Sequence, residues 1–423
     1  MHATPPDARS EPRVATVRVS DSDSVNVSEH CTHIAALLEG RLPVEVDEVG
    51  LDNALGRMLA ETVLSPLPLP PFRNSQMDGF AVRAADTVAG RPLPVVGTVA
   101  AAPGVVPALA PMTAVRIMTG APVPEGADAV VPVERSAVKM TDAGETVEFT
   151  DEFTDAVQPG AFVREAGSDL PAGAELLPAD TLLASRHLAA LAAAGIDRVR
   201  VRRRIRVAII STGSELASPG AALGAGQIFD SNGPGLAAAV RAAGAEVTLR
   251  ERVTDDAAEF LIVLSAAAEA ANLIVTAGGI SQGEFEVVRE VLEPHGAWVG
   301  SVALQPGGPQ ATASFAGVPV LCFPGNPVSA QLSFELFLAP LLREAAGLPA
   351  RVVESRVLSV DLESVPGKVQ LVRARADGAG GITPVAGPGS HLVAAMAAAD
   401  RIIVVPAETT RLTAGSEVTA WVL

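Results

Sequence analysis

The stretch Val207-Ala208-Ile209-Ile210-Ser211-Thr212-Gly213-Ser214-Glu215 joins an apolar run to a polar turn that contains glycine. The pattern recurs over residues 205–345, where short apolar strands alternate with segments of helical periodicity. The predicted strands are Val207–Ile210, Val247–Leu249, Leu273–Val275, Trp298–Leu304 and Val318–Phe323, and the predicted helices lie near 234–243, 255–270, 283–293 and 327–345. This alternation predicts a doubly wound, largely parallel α/β sheet.

Polar or Gly-rich turns follow four of the predicted strands. They are Ser211–Glu215, Thr276–Ser281, Gln305–Pro309 and Pro324–Ser329. Ligands bind at the carboxyl edge of such sheets, where glycine lets the backbone approach a phosphate. One such turn alone has a purely structural role about as often as it binds a ligand, but four at the same edge of the sheet predict an anion site. Neither GxGxxG nor GxxxxGK[ST] occurs, so the two commonest nucleotide motifs are absent.

The flanking segments are rich in Pro and Gly and predict further domains. Helical spacing in 30–63 predicts two short helices, and short strands around them predict small β domains. The alternation of Arg and Val in 198–206 favours an extended connector over a nucleic-acid patch. The predicted division is a disordered leader (1–29), a discontinuous helical domain (30–68 and 175–204), an inserted small β domain (69–174), the α/β domain (205–346) and a C-terminal β domain (347–423).

Composition excludes several classes of function. Lys plus Arg is 31 and Asp plus Glu is 48, so the net charge of −17 argues against nucleic-acid binding and requires a local site for any anion. Fourteen aromatic residues, with no Tyr, make a base-stacking surface improbable.

Two cysteines without a CxxC pair indicate a reducing, cytoplasmic location. The apolar stretch from Phe260 to Ile280 carries Glu269 and Asn272, which favours a helix and a buried strand over a membrane span. The sequence supports neither a zinc site nor a serine nucleophile.

Asp230 has two interpretations that the sequence alone leaves open. In the segment Gly226–Asn232 it either favours the start of the next helix, with Ser231 or Asn232 as the N-cap, or is an oxygen ligand for Mg²⁺ beside a bound phosphate. Glu286 has the same ambiguity, and Asp78-Gly79 by itself indicates a turn.

Several segments together resemble one family, the molybdopterin molybdenumtransferases (MoeA, similar to the E domain of gephyrin). They occur in the family order from about residue 30 to the C-terminus. The matching segments are Asn74–Val82, Arg116–Pro124, Ser211–Gly213, Gly226–Asn232, Gly278–Ser281, Pro324–Ser329 and Gly389–His391.

The resemblance implies a four-domain homodimer. The central α/β domain binds molybdopterin, the helical domain serves dimerisation, and the C-terminal domain is a β barrel. The active cleft then lies between the α/β domain of one subunit and the inserted domain of the other. The implied reaction transfers molybdenum from molybdate to the dithiolene of adenylylated molybdopterin, with Mg²⁺, and releases AMP. Molybdopterin adenylyltransferase and molybdoenzymes are the implied pathway partners, and neither nucleic acid nor a membrane is expected.

Functional residues follow from the matching motifs. The resemblance implies catalytic roles for Asp78, Thr119, Glu215 and Asp230, with Glu215 and Asp230 as metal ligands. The implied substrate-binding residues are Ser75, Thr212, Gly213, Ser214, Gly278, Gly279, Ser281, Glu286, Gln305, Pro306, Gly307, Pro324, Gly325, Asn326, Ser329, Arg373 and Ser390.

The chain departs from the family pattern at three turns. Ser214 and Glu286 stand where many members have Asp, and the family turn KPGKP is Gln305–Pro309 here, without either lysine. Either another residue supplies the missing charge, with Arg373 and Arg375 as candidates, or anion affinity is reduced. Besides a transferase, the sequence therefore admits a catalytically weakened paralogue that binds molybdopterin or serves as a dimeric scaffold. The adenylylating enzyme of the pathway is a third candidate, against which the extra domains and the Asp78 motif argue.

Overall fold

The computed structural model describes residues 24–42, 45–88, 91–149, 157–280 and 286–423. The chain forms two compact units, one of residues 1–46 with 202–423 and the other of 47–201. Each unit is described by itself.

The first helix, α1 (Val27–Leu38), begins at a capping box, in which the Asn26 side chain accepts from the Glu29 N–H at 2.8 Å. Ile34 and Leu38 are buried in the core of the α/β domain. The leader was predicted to be disordered to residue 29, but its last residues differ because α1 starts at Val27. The rest of the leader, 1–23, lies outside the described residues.

The unit of 47–201 is mostly β structure. Its elements are β1 (Val46–Gly50), β2 (Val63–Leu64), β3 (Asn74–Ser75), β4 (Gly79–Val82), β5 (Leu93–Val99), β6 (Ala114–Ile117), β7 (Ala129–Pro132), β8 (Ser136–Thr141), β9 (Gly144–Phe149), β10 (Val163–Arg164), β11 (Glu175–Leu177), α2 (Ser185–Ala193) and β12 (Arg198–Arg202). Six strands form one sheet in the order β7-β4-β6-β5-β9-β8. Its core holds Phe80, Val131 and Val147.

The second helix predicted within 30–63 was wrong. A 3₁₀ turn, Leu51–Asn53, follows β1, and Leu59 is buried through a bridge to Val201. Gly56 has φ +69°, a turn conformation that interrupts a helix, so the helical spacing was coincidental. The extended arginine-rich connector is confirmed as β12, which buries Val199 and Val201 and exposes the intervening arginine.

The second unit contains the α/β domain. After α1 its elements are β13 (Arg206–Thr212), β14 (Leu216–Ala217), β15 (Ile228–Phe229), α3 (Asn232–Ala242), β16 (Glu246–Val253), α4 (Ala257–Ala270), β17 (Leu273–Ala277), α5 (Val287–Leu292), β18 (Trp298–Ser301), β19 (Leu304–Gln305), β20 (Pro309–Phe315), β21 (Val318–Phe323), α6 (Pro327–Ser333) and α7 (Ala339–Ala345). The sheet order is β16-β13-β17-β21-β20-β18. The first four strands are parallel, and β20 and β18 add antiparallel pairs.

The doubly wound prediction is confirmed by the two faces of this sheet. Val207 and Ile209 pack with α3 and α6 on one face, whereas Ala208 and Ile210 pack with α4 and α5 on the other. Among the described helices, none has the length and apolar character needed to cross a bilayer.

Three details of the α/β domain differ from the prediction. The strand predicted over Trp298–Leu304 is divided, because β18 ends at Ser301 and β19 pairs with a strand of the C-terminal domain. Strand β20 was missed because only Thr312 and Phe315 among its seven residues have high β propensity. The single helix predicted over 327–345 is interrupted by a π-helical turn, Phe334–Leu338, where Pro340 in the next turn lacks an N–H donor.

The chain ends in a β barrel. Its elements are β22 (Val353–Leu358), β23 (Leu362–Glu363), β24 (Val369–Ala376), β25 (Gly381–Pro384), α8 (Val393–Ala398), β26 (Arg401–Val405), β27 (Arg411–Leu412) and β28 (Glu417–Val422). The order β24-β25-β22-β28-β26 closes through the pairing of β24 with β26. Strand β19 adds to this barrel in parallel with β24.

Candidate functional site

A cavity of about 1360 Å³ lies at the carboxyl edge of the α/β sheet. The turns after β13, β17 and β21 form one wall, and residues of the barrel form another. The sequence-predicted residues that line it are Thr212, Gly213, Glu215, Gly278, Gly279, Glu286, Gln305, Pro306, Gly307, Pro324, Gly325, Asn326, Ser329 and Ser390.

The turn after β17 packs directly on the end of β13. Gly278 has φ +104°, and a Cβ there would lie 2.6 Å from both the carbonyl oxygen and the Oγ1 of Thr212. Only glycine fits this contact. The Oγ1 of Thr212 is buried and has no hydrogen-bond partner among the described residues. Because a buried hydroxyl without a partner is costly, this atom is a candidate contact for a bound polar ligand.

The turn after β21 is fixed by Asn232, at the start of α3. Its Nδ2 donates to the carbonyl of Gly325 at 2.7 Å, while its buried Oδ1 has no partner in the part of the chain that the structure describes. The Asn232 side chain thus joins two cavity-lining turns and leaves one acceptor for a ligand.

The two predicted metal ligands occupy different surroundings. Glu215 is exposed and lines the cavity, whereas Asp230 is 8% exposed and is not a lining residue. Asp230 Oδ1 accepts from the Gly233 N–H at 3.0 Å, which stabilises the first turn of α3. This contact supports the capping interpretation of Asp230.

The backbone also separates these carboxylates. Strands β14 and β15 pair in parallel with Leu216 opposite Ile228, so Glu215 precedes the ladder and Asp230 follows it. The offset is three residues, about 10 Å at the usual strand rise. Over the described ranges, no three His, Cys, Asp or Glu residues are grouped to hold a metal. Mg²⁺ is commonly held by one or two carboxylates with substrate phosphates, which Glu215 fits better than Asp230.

Sequence reasoning missed the cation at this cavity. Lys368 lines it, beside the turn that lacks the family lysines. The reason is register: Leu304 pairs with Val369, which places Lys368 next to the entry to the 305–309 turn. The contact depends on a long-range strand pair that no local motif marks. His391 and Asp255 also line the cavity and were not predicted.

The two arginines considered as replacements for the lysines do not line the cavity. Arg373 is buried and donates to the carbonyls of Gly387 and Gly389, and burial lowers its pKa. Arg375 is exposed and donates to the Ala398 carbonyl at 2.9 Å.

Ser214 is a further predicted substrate-binding residue of this unit that is not among the described lining residues. Ser214 pairs with Asp255: its N–H donates to Asp255 Oδ2 at 2.9 Å, and its Oγ accepts from the Asp255 N–H at 3.1 Å. Ser281 lies outside the described residues.

Three predicted residues lie in the other unit, where two of them contact each other. Asp78 Oδ1 accepts from the N–H of Thr119 at 2.6 Å and from its Oγ1 at 2.9 Å. These bonds lower the pKa of the exposed Asp78 carboxyl. Ser75 is buried, and its Oγ donates to the Met77 carbonyl at 2.6 Å. The Asp78–Thr119 pair therefore exposes a carboxylate, whereas the Ser75 hydroxyl stabilises the turn that contains it.

Comparison with known proteins agrees with these motifs. Residues 25–195 match the MoeA N-terminal region (domain I and II), 208–344 match a probable molybdopterin binding domain, and 355–423 match the MoeA C-terminal region (domain IV). Molybdopterin molybdenumtransferase 2 of Mycobacterium tuberculosis is 41% identical over 94% of this chain and 99% of its own length. Molybdopterin molybdenumtransferase of Haemophilus influenzae is 32% identical over 89% of this chain and 94% of its own. A crystal structure of a molybdopterin biosynthesis MoeA protein from Pyrococcus horikosii has a TM-score of 0.78 at 30% identity, and covers 95% of this chain and 99% of that one.

Proposed function

The chain belongs to the MoeA family of molybdopterin molybdenumtransferases, and we propose that it inserts molybdenum from molybdate into adenylylated molybdopterin and releases AMP. It is an enzyme of molybdenum cofactor biosynthesis. The observation that carries the specific reaction is the cavity at the carboxyl edge of the sheet, which combines polar atoms without partners and a lysine. A binding-only paralogue is not favoured, since the identity extends over nearly the whole length of catalytic relatives.

The substrates of this reaction are anions, and the chain has a net charge of −17. Charge must therefore be supplied at the site itself. Lys368 is half-buried at the cavity wall and, within the described part of the chain, has no carboxylate partner. We assign it the role of binding a tetraoxo anion or a phosphate, with the turn amides as further donors.

The carboxylates act at the phosphoanhydride. Glu215 would hold Mg²⁺ together with substrate oxygens, and the ion would offset charge that develops as AMP leaves. In this proposal Asp230 orients the start of α3, and its charge favours the bound metal from a distance.

The remaining assignments follow the resemblance. We propose a homodimer in which the inserted domain of one subunit contributes Asp78 and Thr119 to the active cleft of the other. The proposed location is the cytoplasm, where molybdopterin adenylyltransferase supplies the substrate and molybdoenzymes receive the product.

The test is a reconstitution with purified full-length protein, adenylylated molybdopterin, molybdate and Mg²⁺. We expect stoichiometric AMP release and a product that activates a cofactor-free molybdoenzyme. Tight pterin binding with no AMP release would support the non-catalytic paralogue instead. ATP-dependent adenylylation of molybdopterin would identify the third candidate, the preceding enzyme.

A further inference from the structure

Arg373 lies in the middle of β24 and is 3% exposed. Its Nη1 donates to the carbonyl of Gly389 at 2.9 Å, and its Nη2 donates to the carbonyl of Gly387. Its own carbonyl accepts from the Val385 N–H at 2.8 Å. One residue thus holds the 385–391 loop at its start through the backbone and at its middle through the side chain.

The chemistry of these contacts requires a guanidinium. The carbonyls of Gly387 and Gly389, two positions apart, are matched by the fixed fork of arginine, whereas a lysine is a single point donor. Within the described ranges the Arg373 side chain has no carboxylate in ion-pairing distance and its buried Nε has no hydrogen-bond partner, so the two carbonyl oxygens provide the compensation of its charge. Movement of the loop would leave a buried guanidinium N–H without an acceptor, which is costly, and the two bonds therefore constrain the loop.

The loop that Arg373 holds forms part of the cavity wall. Ser390 and His391 line the cavity, although Arg373 does not. The His391 ring packs on Gly389, where a Cβ would lie 3.0 Å from its Cε1. At the other side, the Val328 N–H donates to the Ser390 carbonyl at 3.1 Å and ties the loop to the first turn of α6.

We propose that Arg373 is a positioning residue, which fixes the 387–391 loop so that Ser390 and His391 face the bound anion. This inference rests on the proposed function of the cavity. It replaces the expectation that Arg373 binds substrate itself, because the guanidinium is turned to the loop carbonyls.

The experiment combines hydrogen exchange with steady-state kinetics on Arg373→Lys and Arg373→Met. Arg373→Lys keeps the charge and is the variant expected to fold in every case. We expect amide exchange over 385–392 to accelerate about tenfold in the absence of substrate, with little change elsewhere in the barrel. The KM for molybdate should rise about tenfold with a smaller effect on kcat. Arg375→Met is the matched control, since it removes an arginine and a carbonyl bond from the same strand outside the loop.

A double-mutant cycle with Ser390→Ala separates positioning from direct contact. If Arg373 acts through the loop, its substitution changes the KM much less once Ser390 is already removed. Multiplicative effects, or an unchanged exchange rate over 385–392, would overturn the proposal. If the wild-type protein releases no AMP, the proposed function fails, whereas the exchange measurement still decides whether Arg373 holds the loop.

Discussion

Replacing Lys368 by Met tests whether this single ammonium supplies the charge at the anion site. A hydrogen bond to a charged group contributes about 1.5–3 kcal/mol. Lys368 is half-buried at the rim, so solvent screening favours the lower end of this range. We therefore expect the KM for molybdate or the adenylylated substrate to rise about tenfold, with a weaker dependence on ionic strength. Lys368→Arg should recover most of the loss.

The chain provides its own control, because it contains only two lysines. Lys139 lies in the other unit, where it pairs with Glu148. The assay is AMP release at varied molybdate, with amine labelling followed by mass spectrometry. Molybdate or phosphate should protect Lys368 but not Lys139. An unchanged KM in Lys368→Met, or an equal effect of Lys139→Met, would refute the assignment.

Three further predictions concern stability and charge. Burial and the nearby His33 lower the pKa of His30 to about 4. As the pH drops from about 6.5 to 4 the unfolded state binds the proton first, so the free energy of unfolding falls by up to about 3 kcal/mol. His30→Phe should flatten this part of the plot of urea midpoint against pH. Gly278→Ala should destabilise the fold by about 1–3 kcal/mol more than Gly296→Ala, which also has positive φ but open space around its Cβ; equal thermal midpoints would contradict this. Asp230→Asn keeps the Oδ1 acceptor for the start of α3 but removes the negative charge, so turnover should fall while the melting temperature is retained. Equal losses of turnover and thermal stability would show that Asp230 acts only as a helix cap.

The parts of the candidate site that could be predicted from sequence are those formed by the local backbone geometry of a turn. The turns at 211–215, 278–279 and 324–326 each need glycine or small polar residues immediately after a strand, so their pattern is visible in a short window. Arg373 was also identified as important, but its contacts with the carbonyls of residues 387 and 389 could not be anticipated. A side chain's direction depends on packing around it, which the residue's identity does not specify.

By itself, the sequence determined the doubly wound domain, the edge of the sheet at which the cavity lies and the family. Hydrophobic periodicity and turn chemistry are local properties, and they act before any long-range contact forms. Only the tertiary structure decided that Lys368, rather than either arginine, stands beside the lysine-free turn, and that Glu215 and Asp230 lie at opposite ends of a short ladder. Both outcomes follow from strand register, which is set by pairing between segments as much as 65 residues apart.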